Sequence, residues 1–183
     1  CGSAESSMFL ADNFEAKVIA VDSSRDPADT ARTVERRGHI GNVIPLRLDA
    51  SKALPFAEDY FDAILCVNSL NFFGTDIAVV DRIARHLKKG GVFCSGGECL
   101  NEKFTPEQIA HPPDVYRFAE AVWEYDFLTS YSPGWWADHI ARSRELQLIS
   151  CNELKDGQRF YEERATLTEP EGYFGLTAQQ ARE

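Results

Sequence analysis

Cys1-Gly2-Ser3-Ala4, running into the helix-like stretch Glu5–Phe14 and then into Lys17-Val18-Ile19-Ala20-Val21-Asp22, decides the fold. The glycine lets backbone come close to a ligand, and the helix start behind it offers free N–H groups. The apolar run that follows is short and ends in an acid, as a buried parallel strand does. Asp22 stands 20 residues after Gly2. At that spacing an acid closing one strand reaches a ribose hydroxyl pair held at the preceding turn.

Working outward, apolar runs keep alternating with helical patterns, which predicts an α/β fold with a doubly wound, mostly parallel sheet. Residues 26–37 read as a surface helix, and 42–48 as a strand closed by Asp49-Ala50. After the turn Leu54-Pro55-Phe56, residues 61–67 form the next strand. Residues 76–87 form a helix with Ile77, Val80, Ala84 and Leu87 on one face. Lys88-Lys89-Gly90-Gly91 is the expected helix stop, and 92–95 the following strand. Residues 99–131 break the rhythm with Pro112-Pro113 and a dense aromatic series, and are read as a helical cap over the site. Ser132 as N-cap and Pro133 in the first turn open a helix to about residue 144. Strands at 146–151 and 172–177, joined through a helix-like stretch at 157–164, complete a single domain of residues 1–183.

Composition narrows the function. The chain has the apolar content of one domain with a real core, and a formal net charge of -10. A nucleic-acid partner is disfavoured, because phosphate binding needs clustered positive charge. Cys1, Cys66, Cys94, Cys99 and Cys151 are odd in number and lack C-x-x-C spacing, so they read as reduced thiols, most of them buried, in a cytoplasmic protein. No stretch approaches the ~18 apolar residues of a membrane span. A monomer or a homodimer is expected, with no membrane partner.

Strand ends on one edge of a parallel sheet form a ligand crevice, so Gly2, Asp22, Asp49 and Asn68 are expected to line one cleft. The series Cys1-Gly2-Ser3, Val18-Ile19-Ala20-Val21-Asp22, Leu48-Asp49-Ala50, Leu54-Pro55-Phe56 with Phe61-Asp62-Ala63-Ile64, and Leu87-Lys88-Lys89-Gly90-Gly91 resembles the class I S-adenosylmethionine (SAM)-dependent methyltransferases of the small-molecule (UbiE-like, type 11) group. Ser132-Pro133-Gly134-Trp135-Trp136 with Asp156-Gly157 also resembles a bacterial branch of it. The resemblance implies a SAM cofactor, S-adenosylhomocysteine as product and a small-molecule methyl acceptor. It further implies that Cys1, Gly2 and Ser3 face the methionine part, that Asp22 holds the ribose hydroxyls, and that Ser23 borders the adenine. Asp49 would accept from the adenine amino group, the Ala50 N–H would read a ring nitrogen, and Asn68 would lie beneath the transferring methyl. Asn71 stands where the branch often has histidine.

SAM's methyl is electrophilic without help, so a protein of this kind mainly aligns the acceptor and excludes water, and no metal or covalent residue is required. No catalytic residue is assigned. Asn71, His111, Tyr131 and Trp136 are the expected acceptor contacts, His111 being the histidine to test as a base. One departure stands out: the strand that precedes the family's glycine motif, central in its sheet, is missing from this sequence. A gap there would strand two rows of backbone groups, so the physiological chain is expected to begin some tens of residues earlier. Two other classes share part of the pattern. An NAD-binding Rossmann oxidoreductase uses a glycine turn plus acid, but Ser6 or Ser7 stands where its third glycine would be. A non-catalytic SAM-binding module would bind the cofactor and transfer nothing.

Overall fold

In the computed structural model, which describes residues 1–97, 99, 107, 131–157 and 159, α1 (Glu5–Phe14) turns Ser7, Met8 and Ala11 inward. With the fully buried Ala4, these make the stripe of an amphipathic helix. The strand β1 (Val18–Asp22) follows, then α2 (Pro27–Arg36), capped by the Asp26 side chain on the Ala28 N–H. Thr30 and Val34, one turn apart, are the buried face of α2. The strand β2 (Val43–Arg47) pairs with β1 in parallel, with Val18 opposite Val43 and Asp22 opposite Arg47. Pro45 interrupts β2, as tolerated in a strand paired on one side only. Ala4, Met8, Ala11, Ala20, Val34 and Val43 form one buried cluster beneath these elements.

A second pair joins β3 (Phe61–Val67) and β4 (Leu87–Gly96). The Phe61 N–H donates to His86 O at one end and the Asn68 N–H to Gly96 O at the other. The partner number rises with the strand, so this pair is parallel too. Among the described residues the strands make two two-stranded sheets, β1 with β2 and β3 with β4. Between β3 and β4 lie a 3-10 turn (Leu70–Phe73) and α3 (Ile77–Ala84), which buries Val79, Val80, Ile83 and Ala84. The last described element is α4 (Pro133–Ile140), capped by Ser132 Oγ on the Trp135 N–H.

The chain divides into two compact units. One is Cys1–Val67 with Ala78–Ser95, and the other is Asn68–Ile77 with the described residues from Gly96 onward.

Several boundaries differ from those read in the sequence. The helix α3 stops at Ala84, because Leu87 is buried in β4 and Lys88 to Gly91 are already strand. Gly90 has φ +80, and a Cβ at Gly91 would lie 2.9 Å from Lys88 O and 3.0 Å from Asp62 O. The glycine pair therefore allows a tight kink inside β4, not a helix stop. The helix α4 ends four residues early, where Ser143 Oγ captures the N–H groups of Glu145 and Leu146. Residues 146–151 are irregular, with Ile149 88% exposed, since no described strand pairs with them. Of the cap at 99–131 only residues 99, 107 and 131 are described; the strand at 172–177 lies outside the described residues, as does the stretch at 157–164 apart from 157 and 159. Only Cys66 is buried; Cys1, Cys94, Cys99 and Cys151 are exposed, and all five are free thiols.

Val34, 1% exposed, is the keystone of the cluster. Val34→Ala removes two methyl groups from a site walled by two strands and a helix, and should lower the unfolding free energy by about 2 kcal/mol in a urea titration.

Candidate nucleoside-binding edge

The turn before α1 is built without a side-chain cap. Gly2 has φ +53 and Ala4 φ +65, and the turn closes through the Ala4 N–H on Cys1 O at 2.8 Å. Left-handed geometry at a buried alanine costs about 1–2 kcal/mol. It aims the first N–H groups of α1 out of the turn with no side chain of the cap residue accepting from them.

Asp22, the last residue of β1, ties this turn down. Its Oδ2 accepts from the Gly2 N–H at 2.9 Å and from the Cys1 nitrogen at 2.9 Å. Its Oδ1 accepts from the Ser24 N–H at 2.9 Å, the Ser24 hydroxyl at 3.0 Å and the Arg25 N–H at 3.0 Å. Burial alone would push this carboxyl up. The hydrogen bonds from Arg25, the Cys1 nitrogen, Gly2 and Ser24 outweigh it and hold the group far below the usual carboxylate range.

Asp49 follows β2 by two residues and repeats the same Asp-x-Ser local design. Its Oδ1 accepts from the Ser51 N–H at 2.9 Å and the Ser51 hydroxyl at 2.6 Å. The Ser51 hydroxyl, its N–H and the nearby Lys52 charge lower this carboxyl below its ordinary value against a smaller burial effect. Asp49 is exposed, and its Oδ2 has no partner among the described residues. Because β1 and β2 are parallel and Leu48 N–H donates to Asp22 O, both acids sit on the same, C-terminal edge. Gly2 and Asp22 are thus in direct contact and Asp49 lies at the same strand edge, with Cys1, Ser3, Ser23 and Ala50 as their chain neighbours. Ser23 is exposed, its carbonyl accepting from Arg47 Nε at 3.2 Å, and Ala50 is half-buried.

The remaining expected residues belong to the second unit. Asn68 is exposed with φ +47, and its Oδ1 would lie 3.2 Å from a Cβ at Gly97. Asn71 sits half-buried in the 3-10 turn. His111 lies outside the described residues. Tyr131 stacks on Trp135 at 3.8 Å between centroids, and Trp135 on His139 at 4.7 Å, with Trp136 edge-on to all three. Trp136 is buried within that packing.

The sequence reading did not assign roles to Ser24, Ser51 or His139. Ser24 and Ser51 were legible as the serine two residues after each acid, where an Asx-type turn places a donor. His139 carries no such signal: it is buried, and its Nε2 has no partner among the described residues. Burial first, then the Arg142 charge, push its imidazole down against a smaller opposing pull from Asp76.

Residues 1–91 match the family described as methyltransferase domain. Solved structures share the fold of the chain. A geranyl diphosphate methyltransferase in complex with GPP and sinefungin is 18% identical over 99% of this chain and 62% of its own, with a TM-score of 0.72. The geranyl diphosphate C-methyltransferase of Streptomyces coelicolor A3(2), in complex with Mg2+, geranyl diphosphate and S-adenosyl-L-homocysteine, is 18% identical over 92% and 59%, with a TM-score of 0.68. PigF with SAH is 18% identical over 76% and 46%, with a TM-score of 0.53. The chain thus spans less than two thirds of each of these structures, and its fold is the Rossmann-like one they share. No curated protein matches it in sequence.

Asp22→Asn sets an amide N–H against backbone donors and should cost about 1–2 kcal/mol at pH 7. The folded carboxyl titrates below its unfolded value, so the stabilisation is fully present above about pH 4 and fades as pH falls below it. The gap between wild type and variant in urea should therefore narrow on acidification. For His139 the unfolded chain takes the proton more readily, so stability falls as pH drops below about 6.5. His139→Phe keeps the ring stack and should flatten that part of the stability-pH profile.

Proposed function

We infer that the chain binds SAM along the Gly2–Asp22–Asp49 edge and transfers its methyl group to a small-molecule acceptor. The observation that carries this is the direct Gly2 N–H to Asp22 carboxylate contact on the edge where Asp49 closes the next strand. The donor and acceptor set fits the cofactor. A ribose diol and an adenine amino group are donors, and the edge offers carboxylate oxygens to both. A terminal carboxylate suits the uncapped start of α1.

Five donors already crowd Asp22, against roughly four lone-pair sites on a carboxylate. The Ser24 hydroxyl is the donor a rotation about one bond can remove, so a ribose hydroxyl takes its place without disturbing the backbone bonds. Asp49 needs no such exchange, since Oδ2 is open.

Bound SAM supplies an electrophilic methyl on a sulfonium centre. This chain's residues then hold the nucleoside and the methionine end, while Asn68, Asn71, His111, Tyr131 and Trp136 are our proposed contacts nearer the methyl and the acceptor. A small molecule is favoured over nucleic acid by the net charge of -10, and the neighbours named for geranyl diphosphate act at that size. No helix among the described residues is long and apolar enough to cross a membrane, and the free thiols suit a cytoplasmic setting.

Calorimetric titration with SAM, S-adenosylhomocysteine and NAD in parallel tests the reading. SAM and S-adenosylhomocysteine should bind and NAD should not, and Asp22→Ala should weaken the first two by about tenfold or more. Equal affinity in that variant refutes the role of Asp22; NAD binding alone would make the chain a dinucleotide protein.

A further inference from the structure

Arg82 is half-buried on α3, between the buried residues Asp81 and Ile83. Its guanidinium reaches 31 residues back along the chain and donates through Nη2 to the Ser51 carbonyl. Ser51 is the residue whose N–H and hydroxyl hold Asp49 Oδ1. A single relay therefore runs from Arg82 through Ser51 to Asp49, all within one compact unit. The Arg82 Nε is buried with no hydrogen-bond partner among the described residues. An unmet buried N–H is a cost that packing alone would avoid, for instance with a methionine or leucine at this helix position. The cost is intelligible if what matters is the charge-assisted bond the other end of the guanidinium makes to the loop.

The loop otherwise has little to hold it. Asp49 is exposed, and the turn after it is closed by the Lys52 N–H on Asp49 O at 3.0 Å. With Oδ1 pinned by Ser51, Asp49 Oδ2 faces out with a fixed direction, which is what discrimination of a single exocyclic amino group requires.

We propose that Arg82 is a positioning residue for adenine selectivity: by anchoring Ser51 it fixes Asp49 to accept from the adenine 6-amino group. This rests on the SAM reading of the same edge. The measurement is the affinity ratio of S-adenosylhomocysteine to S-inosylhomocysteine, which carries an oxygen in place of the amino group. Wild type should prefer the adenine compound by about tenfold or more. Arg82→Gln should lose most of that preference by weakening S-adenosylhomocysteine while S-inosylhomocysteine changes within about twofold. Arg82→Lys, which can still donate to the Ser51 carbonyl, should recover part of it. A merely structural role for Arg82 would weaken both ligands alike, and a ratio unchanged from wild type overturns the proposal. If Arg82→Gln does not fold, Ser51→Ala carries the test: it removes the hydroxyl on Asp49, leaves α3 intact and should lower the ratio in the same direction, and an unchanged ratio there overturns the proposal equally. Wild type that binds neither compound sinks the SAM reading and this inference together. Wild type that prefers adenine while every variant does too sinks the inference alone.

Discussion

The carboxylate of Asp22 is the constraint on which the rest of this strand edge depends. It joins a turn at the start of the chain to the end of a strand 20 residues later, through a 2.9 Å bond from the Gly2 N–H. A charge-assisted bond of this kind is stronger than a neutral one and has a direction. Two left-handed residues, Gly2 and Ala4, are held in place around it, and α1 leaves the turn with its first N–H groups unclaimed by any cap side chain. Without that tie the strain at Ala4 would relax by opening the turn, and the approach of backbone to a ligand would go with it.

The two acids share a local design and differ in what is left over. In both, a serine two residues on closes Oδ1 with an N–H and a hydroxyl. At Asp22 the second oxygen is consumed by the turn, so a ligand must displace the Ser24 hydroxyl. At Asp49 the second oxygen is open and the ordering falls to Ser51 and Arg82. One acid is thus preorganised and crowded, the other open and held from behind. Two differently held carboxylates follow from a single repeated tripeptide pattern, with the difference set by which elements lie behind each loop.

Much of this was legible from residues alone, for physical reasons that can be named. The parallel pairing of β1 and β2 followed from short apolar runs each closed by an acid, and β3 was read to its observed ends because Phe61–Val67 has no internal breaker. The kink in β4 was not legible. Lys-Lys-Gly-Gly carries the same chemistry as a helix stop, and only the 2.9 Å approach of Lys88 O to the position of a Gly91 Cβ shows that the glycine serves a strand. The end of α4 was missed for a related reason: Ser143 competes for backbone N–H groups, which helical periodicity does not weigh. Arg82 and His139 were missed because burial of a single polar side chain is set by neighbours distant in sequence.

The two acids are held by different packed parts of the chain. The buried cluster of Ala4, Met8, Ala11, Ala20, Val34 and Val43 lies wholly within the first 43 residues, under α1, α2, β1 and β2. The Gly2–Asp22 contact sits beside that cluster, because Ala4 closes the turn and Ala20 lies two residues before Asp22 on β1. The Asp49 loop is tied instead through Arg82 to α3, whose Val79, Val80, Ile83 and Ala84 are buried apart from the first cluster. Substitutions in one packed set therefore act first on the acid it supports, and effects of distant, independent sites add.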